Sequence, residues 1–423
     1  MKRLLAVLAL IAPLLAKAQG FAIVVQDDTA LRPLAGSSAR PLALLAQGET
    51  LEVRGERLDY LAVWDYARER GGFVRATQVR RLALTADEAP ELLAVLRFLR
   101  GVPGAEPLGI AIGAAYIEAA PAERLNGAEG VEALEALGAM AERMARKPSR
   151  HVEVMARYGV RFVTVPANGR VRLCYDGTVH RKILALQASE EQRARALLAL
   201  SEPACAKPEM TLAERLGALD TTRMPPYVRS RVQIRRAALW SSIAYQRARR
   251  GEEPRAAAER SLEALAAVDR AQLAEVDRRA YADAEMRVGA ARVALAQAIR
   301  PGRGIRIAVG PGGPGQSCVS LIDSAGSRLA HRCTYGVVWE ASAVANREGT
   351  ALALAVQPAD GWRELWLFRK RRNRWSIAIV PPALAAPGVG TAEFAGWSPG
   401  RVRVAQAALV DGRLTRSLRM MRL

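Results

Sequence analysis

Ser317, in Gly315-Gln316-Ser317-Cys318, and His331 could supply a nucleophile and a base. An acyl-transfer elbow reads G-x-S-x-G, and the glycine due two residues after this serine is missing. Just upstream, Gly310-Pro311-Gly312-Gly313-Pro314-Gly315 lacks the Lys-Ser/Thr of a phosphate loop and the strand–turn–helix setting one needs. Its prolines also remove amide donors, so a linker-like loop is expected. Asp27-Asp28 and Asp59 could suggest paired carboxylates, but hydrolytic acids need a cleft and a defined separation. Turn-forming or solvated charges are the expectation. Zinc would call for CxxC or HxxxH spacing, which Cys174, Cys205, Cys318, Cys333, His151, His180 and His331 do not provide. No catalytic residue is assigned, and neither a metal nor a cofactor is expected.

Two features suit binding better than catalysis. Arg369-Lys370-Arg371-Arg372-Asn373-Arg374 is a basic hairpin loop beside Trp362, Trp366, Phe368 and Trp375. Cations next to aromatic rings fit an anionic polymer or a sugar face. Trp362, Trp366 and Phe368 also alternate, which is the pattern of a strand core. The second feature is the aromatic set Tyr60, Trp64, Tyr66 and Phe73, some of which must be core.

The first residues bear on where such a site would work. Lys2 and Arg3 precede an apolar run, Leu4 to Leu15, and Ala16-Lys17-Ala18 fits a cleavage site. Residues 1–18 are therefore expected to be a signal peptide, with the mature chain starting at Gln19. No cysteine follows the run, which argues against a lipid anchor, and no later stretch suits a membrane helix. A periplasmic or secreted protein is expected. Of its 423 residues half are hydrophobic, enough for real cores, and the formal charge is +20. The excess comes almost entirely from arginine, and GC-rich coding explains much of it. It still draws the chain to anionic surfaces at low salt. Export argues against nucleic acid. The four cysteines are even in number in an oxidising compartment, so disulfides are expected. Cys174–Cys205 and Cys318–Cys333 are favoured because each pair lies within one expected domain.

Residues 19–82 read as all β. Phe21–Val25, Ala43–Leu45, Thr50–Val53, a half-buried strand alternating Leu58, Tyr60, Ala62 and Trp64, and Phe73-Val74 make five short strands. Gln47-Gly48 is a tight turn, and Ala76 to Val79 suits one 3₁₀ turn. Closure into a small barrel would remove exposed edges. On Asp28-Thr29-Ala30-Leu31-Arg32, Gly48-Glu49-Thr50-Leu51-Glu52-Val53 and Gly72-Phe73-Val74-Arg75, the segment resembles a bacterial SH3-like (SH3b) domain. That family often has Gly-Trp-Val where this chain has Gly72-Phe73-Val74. The resemblance implies a non-catalytic binding module of envelope proteins, without identifying its ligand.

Residues 83–300 read as helical with a β-hairpin at 161–175, turning at Asn168-Gly169. Thr85-Ala86-Asp87-Glu88 and Ser189-Glu190-Glu191-Gln192 both have the capping-box pattern. Leu92, Leu93, Leu96 and Leu99 form one helical face; Leu108–Ala119 and Val131–Met144 follow, with Pro121 and Pro148 as stops. Tyr227–Arg250 and Pro254–Val268 form a helical hairpin about Gly251, and Gln272–Ile299 a long third helix. Around Trp240, Ile243 and Ala244 the hairpin resembles a tetratricopeptide unit, but no second copy exists, so an ordinary bundle is expected. After Arg300-Pro301-Gly302-Arg303-Gly304, residues 305–423 hold ten strand-length runs between turn signals. This is an antiparallel β domain whose first hairpin Cys318 and Cys333 would staple. Phe394-Ala395-Gly396-Trp397-Ser398-Pro399-Gly400 resembles a propeller-blade turn, but too few blades fit for closure, which leaves a sandwich or a partial propeller-like sheet.

The chain thus reads as a multidomain α+β protein: SH3-like barrel, helical middle and antiparallel β domain. The expected function is a non-enzymatic exported scaffold whose SH3-like domain binds peptidoglycan, another anionic envelope polymer or an exported protein. The alternative is a wall-acting enzyme, or enzyme accessory, without a recognisable motif. An assembly factor offering an exposed apolar groove is a third reading.

Overall fold

The computed structural model describes residues 20–147, 150–167, 170–297, 304–384 and 388–423. The expected signal peptide, Pro148, the Asn168-Gly169 turn and Arg300–Arg303 lie outside the described residues. The fold is α+β, with an N-terminal antiparallel sheet region, a helical middle and a C-terminal antiparallel β-rich domain. By packing, the chain divides into two compact units, residues 1–188 and 189–423, so the helical span is shared between them.

In the first unit, seven strands occupy the segment read as five: β1 (Phe21–Val24), β2 (Thr29–Leu31), β3 (Ala43–Leu45), β4 (Thr50–Arg57), β5 (Tyr60–Asp65), β6 (Arg70–Arg75) and β7 (Val79–Leu82). Five form an antiparallel sheet in the order β6-β5-β4-β1-β7. β2 and β3 form a ribbon that reaches β6 through the Arg32–Phe73 bridge. The 3₁₀ turn falls at Ala76–Gln78, as expected. Leu31, Leu45, Leu51, Val53, Leu61, Val63 and Val74 build the core.

The core face of β5 corrects the expected alternation. Leu61 and Val63 point inward, whereas Ala62 and Trp64 are half-buried and Leu58 is exposed. The period of two is right and the phase is shifted by one, which exchanges the two faces. Gly72 explains part of the glycine pair before Phe73. A Cβ there would lie 2.7 Å from Leu31 Cδ1 and 2.9 Å from the Arg32 carbonyl oxygen, so β2 can cross β6 only over a glycine.

Helices α1 (Ala89–Arg100), α2 (Glu106–Ala119), α3 (Ala122–Leu125), α4 (Ala128–Arg146) and α5 (His151–Ala156) follow. The hairpin β8 (Phe162–Ala167) and β9 (Arg170–Tyr175) comes next, then α6 (Thr178–Ile183). Leu92, Leu93, Leu96 and Leu99 of α1 are buried, as the spacing predicts. The Thr85–Glu88 capping box does not form: the Glu88 carboxylate accepts instead from the Ala83 and Leu84 amides, at 2.9 and 2.8 Å. Pro90 sits in the first turn of α1, which starts the helix late and makes Glu88 its N-cap rather than its third residue.

These helices are fastened to the sheet by specific polar contacts. Tyr158 Oη donates to the Gly48 carbonyl at 2.5 Å. Asp27 accepts from the Gln47 amide at 2.9 Å and pairs with His151 at 2.8 Å and Arg150 at 3.1 Å. Burial pushes the Asp27 carboxyl up, but the Gln47 amide, His151 and Arg150 outweigh it and hold it below its ordinary value. A depressed carboxylate contributes stability that is present above its unfolded pKa and is lost as pH falls through the lower folded one. Asp27→Asn should therefore flatten the acid limb of the unfolding profile below pH 3.8. An acid limb identical to wild type would contradict this.

The second unit begins with α7 (Glu190–Leu200), α8 (Met210–Gly217), α9 (Pro226–Arg249), α10 (Arg255–Ala266) and α11 (Arg278–Ala291). The Ser189–Gln192 capping box is complete in both directions, at 3.2 and 2.9 Å. The expected long helix Gln272–Ile299 is shorter: a 3₁₀ turn at Glu275–Asp277 leads into α11, and another follows at Arg292–Leu295. Buried Asp277, gripped by Arg231 of α9 at 2.9 Å, fixes the start. Tertiary contacts override helix propensity here.

All ten expected C-terminal strands are present. They are β10 (Ile305–Pro311), β11 (Ser317–Asp323), β12 (Arg328–Thr334), β13 (Val337–Ala345), β14 (Ala351–Ala359), β15 (Trp362–Arg371), β16 (Arg374–Val380), β17 (Val389–Ser398), β18 (Arg401–Val410) and β19 (Arg413–Arg422). The glycine-rich run read as a linker is the β10–β11 hairpin turn, closed by Gly312 N–H to the Gln316 carbonyl at 3.0 Å. Strands β10–β12 form one sheet and the rest a second. Its pairings are antiparallel except for a short parallel contact of Trp362 and Arg363 with β17. β14 and β15 are covered on both faces. Leu352, Leu354, Trp366 and Phe368 pack on Ile307, Val319 and Leu321 of the small sheet. Ala353, Leu365 and Leu367 pack on Ala392, Val402 and Val404. Two-sided burial explains the unbroken apolar runs of these strands, and the stacking is of the sandwich kind.

Candidate functional site

The aromatic set of the first unit separates by exposure, and none of the four is part of the core cluster. Tyr60 is 4% exposed, with the Arg75 guanidinium over its ring at 5.7 Å. Trp64 and Phe73 are half-buried and lie outside the core cluster; Tyr66 is 63% exposed. Registry places Glu52 opposite Trp64 and Ala62 opposite Phe73, so Trp64 and Phe73 share the outer face of β4–β5–β6. Gly71, across from Trp64, leaves room for the indole: a Cβ there would touch Trp64 Cε3 at 3.4 Å.

Two polar residues that the sequence reading passed over complete this face. The Arg54 guanidinium sits 4.4 Å from the Trp64 ring centroid and pairs with Glu52 at 3.0 Å. Tyr66 Oη donates to Glu52 Oε2 at 2.7 Å. The Tyr66 hydrogen bond and then Arg54 lower the Glu52 carboxyl below its usual range, and Glu52 in turn raises the Tyr66 phenol. A β-bulge after Val53 delivers Arg54 onto this side. The result is an indole, a phenol and a phenyl ring around a carboxylate–guanidinium couple. Such a surface can stack planar or sugar faces and pair with carboxylates.

Compared with family models, curated proteins and solved structures, the chain matches none.

Directly behind this face lies a paired-carboxylate cluster that was also not legible. Glu49 and Asp65 are 2% and 1% exposed, and Arg68 bridges them at 2.6 and 2.8 Å. Glu49 Oε1 accepts from the Ala46 amide at 3.0 Å as well as from Arg68 at 3.1 Å, and Asp65 Oδ1 accepts from the Ala67 amide at 2.9 Å. Every carboxylate contact is spent on holding the turns around the sheet. The earlier candidates are likewise paired: Asp27 and Asp28 meet Arg150, and Asp59 meets Arg75 at 3.5 Å.

In the second unit the basic hairpin is real but its aromatic half is not at the surface. Trp366 and Phe368 are core, Trp362 is buried, and Trp375 packs partly on the same core. Arg372 and Asn373 both take positive φ in a two-residue turn. Lys370, Arg371, Arg372 and Arg374 are exposed and Arg369 is half-buried. Arg371 donates to the Leu423 carbonyl at 3.0 Å.

Cys318 and Cys333 are disulfide-bonded across β11 and β12, the second hairpin of the domain rather than the first. Cys174 and Cys205 are also disulfide-bonded, and no cysteine is free. His331 Nε2 lies 3.9 Å from Cys333 Sγ, and the strand register sets His331 opposite Ser320, not Ser317. Cys318, Cys333 and His331 cluster as metal ligands would, but the disulfide occupies both sulfurs. His180 pairs with Glu142 at 2.8 Å over Gly138, and His151 with Asp27. No helix among the described residues is long and apolar enough to cross a membrane.

Proposed function

We propose that the protein is an exported, non-enzymatic binding or scaffolding protein of the cell envelope, whose SH3-like N-terminal module binds peptidoglycan. The outer face of β4–β5–β6 carries the reading: Trp64, Tyr66 and Phe73 stand outside the core around Arg54 and Glu52. Burying none of these rings in the core leaves them for a ligand. Glycan rings would stack on the aromatic faces, and the stem-peptide carboxylates would pair with Arg54. Disulfide bonding of all four cysteines supports an oxidising compartment.

Titration of solubilised peptidoglycan fragments into the full chain by calorimetry tests this. Trp64→Ala is expected to weaken binding about tenfold or more, the scale of a lost aromatic anchor. Lys370→Ala/Arg372→Ala, in the basic hairpin, is expected to bind as wild type. Unchanged affinity in Trp64→Ala, with the hairpin variant weakened instead, would move the site to the second unit.

A further inference from the structure

Strand β19 is exposed along nearly its whole length, including Leu418 at 68% and Met420 at 55%. It pairs with β18 over all ten residues. Among the described residues no strand lies on its other side, so a long edge presents its free backbone groups. Its residues are Arg413, Leu414, Thr415, Arg416, Ser417, Leu418, Arg419, Met420, Met421 and Arg422, with four arginines and no acid. Strand alternation puts Arg416 and Arg422 on one face and Arg413 and Arg419 on the other. Of these, Arg416 meets Glu285 at 2.6 Å; the other three have no acidic partner among the described residues.

The face carrying Arg416 and Leu418 opens onto a groove of about 630 Å³ between the sheet and α10–α11. Leu262, Leu265, Met286, Ala405, Ala407 and Leu418 give it an apolar lining. Its rim carries the Arg416–Glu285 and Arg292–Glu393 pairs.

We infer that the free edge of β19 takes up an extended acidic peptide segment of another protein, which adds a strand to the sheet and places apolar side chains at the mouth of this groove. Backbone pairing would supply affinity, the arginines on both faces would select acidic side chains, and Leu418 would receive apolar ones. A second copy of β19 fits poorly, because pairing two such strands sets arginines against arginines.

The probe is a labelled ten-residue peptide alternating valine and glutamate, followed by fluorescence anisotropy with the full chain at physiological salt. N-methylation of alternate residues blocks the hydrogen bonds of one peptide edge only. One of the two methylated registers is therefore expected to lose binding at least tenfold while the other retains it. Arg413→Glu/Arg419→Glu, with circular dichroism unchanged, is expected to lose at least tenfold as well. Equal binding of both methylated peptides, or competition by polyglutamate as strong as by the peptide itself, would overturn strand addition and leave an anionic-polymer surface.

Discussion

Arg68→Ala is expected to lower the unfolding free energy of the first unit by about 3 kcal/mol. What the arginine leaves behind sets the size of the loss. Glu49 and Asp65 are almost wholly buried, and Arg68 is the cation that meets both. Removing one partner of a buried ion pair costs ~3–5 kcal/mol, because the remaining charge keeps its burial and loses its compensation. Arg68 is itself about one-third exposed, at 32%, so water can partly replace it and the lower end of that range applies. The hydrogen bond to Glu49, then burial working against it, and the bond to Asp65 leave the guanidinium held more firmly charged than usual. Lysine at this position should recover only part of the loss, since one ammonium cannot reproduce the fork that reaches both carboxylates. Urea unfolding of Arg68→Ala, Arg68→Lys and the exposed control Arg70→Ala checks the order. An Arg68→Ala midpoint equal to that of the control would show that the cluster is solvated and contributes nothing.

The second large effect concerns the second unit. Cys318 and Cys333 close a loop of 15 residues on strands β11 and β12. Loop-closure entropy alone assigns a link of that length ~3 kcal/mol. Val319 and Leu321, between the cysteines, are fully buried against β14 and β15. Fraying of β11 therefore uncovers the larger sheet as well. Cys318→Ala/Cys333→Ala should lower the unfolding free energy of this unit by about that amount, with peptidoglycan affinity unchanged. Coincident unfolding curves for wild type and the double variant would contradict the assignment.

The elements most legible in the sequence were those whose ends carry turn chemistry. Most of the ten C-terminal strands stand between glycine, proline and aspartate signals, although the turn between β15 and β16 is Arg372-Asn373. What the period of two could not supply was the phase of β5. Tyr60, Leu61, Ala62, Val63 and Trp64 are apolar on both faces, and only the neighbours Leu51, Val53 and Val74 decide which face is core. The short helices α3, α5, α6 and α8 escaped because four to eight residues span too few turns to show a helical period.

The site was half legible for the same reason. Trp64, Tyr66 and Phe73 are visible as residue types, but the register places Tyr60 on their face, and only its burial sets it apart from them. Arg54 reaches Trp64 through a bulge that leaves no mark in the sequence pattern. For the basic hairpin the alternation was the better guide: its aromatics Trp362, Trp366 and Phe368 are buried on a strand covered on both faces. The domain outline also changes how the proposal is best probed. Tyr158, Arg150 and His151 bind the N-terminal sheet within one compact unit. Deleting residues 19–82 would strip the sheet from the helices packed on it, so single surface substitutions are the cleaner perturbation.

Co-sedimentation with purified peptidoglycan sacculi across a salt series, wild type beside Trp64→Ala, tests the central claim most directly. At about 1 M salt the screening length is roughly 3 Å, too short for the arginine excess to hold the protein on a surface. Stacking on the Trp64 face predicts that wild type still pellets at that salt while Trp64→Ala stays in the supernatant. Pelleting that disappears with salt equally in both proteins would contradict it, and would reduce wall binding to the net charge of +20.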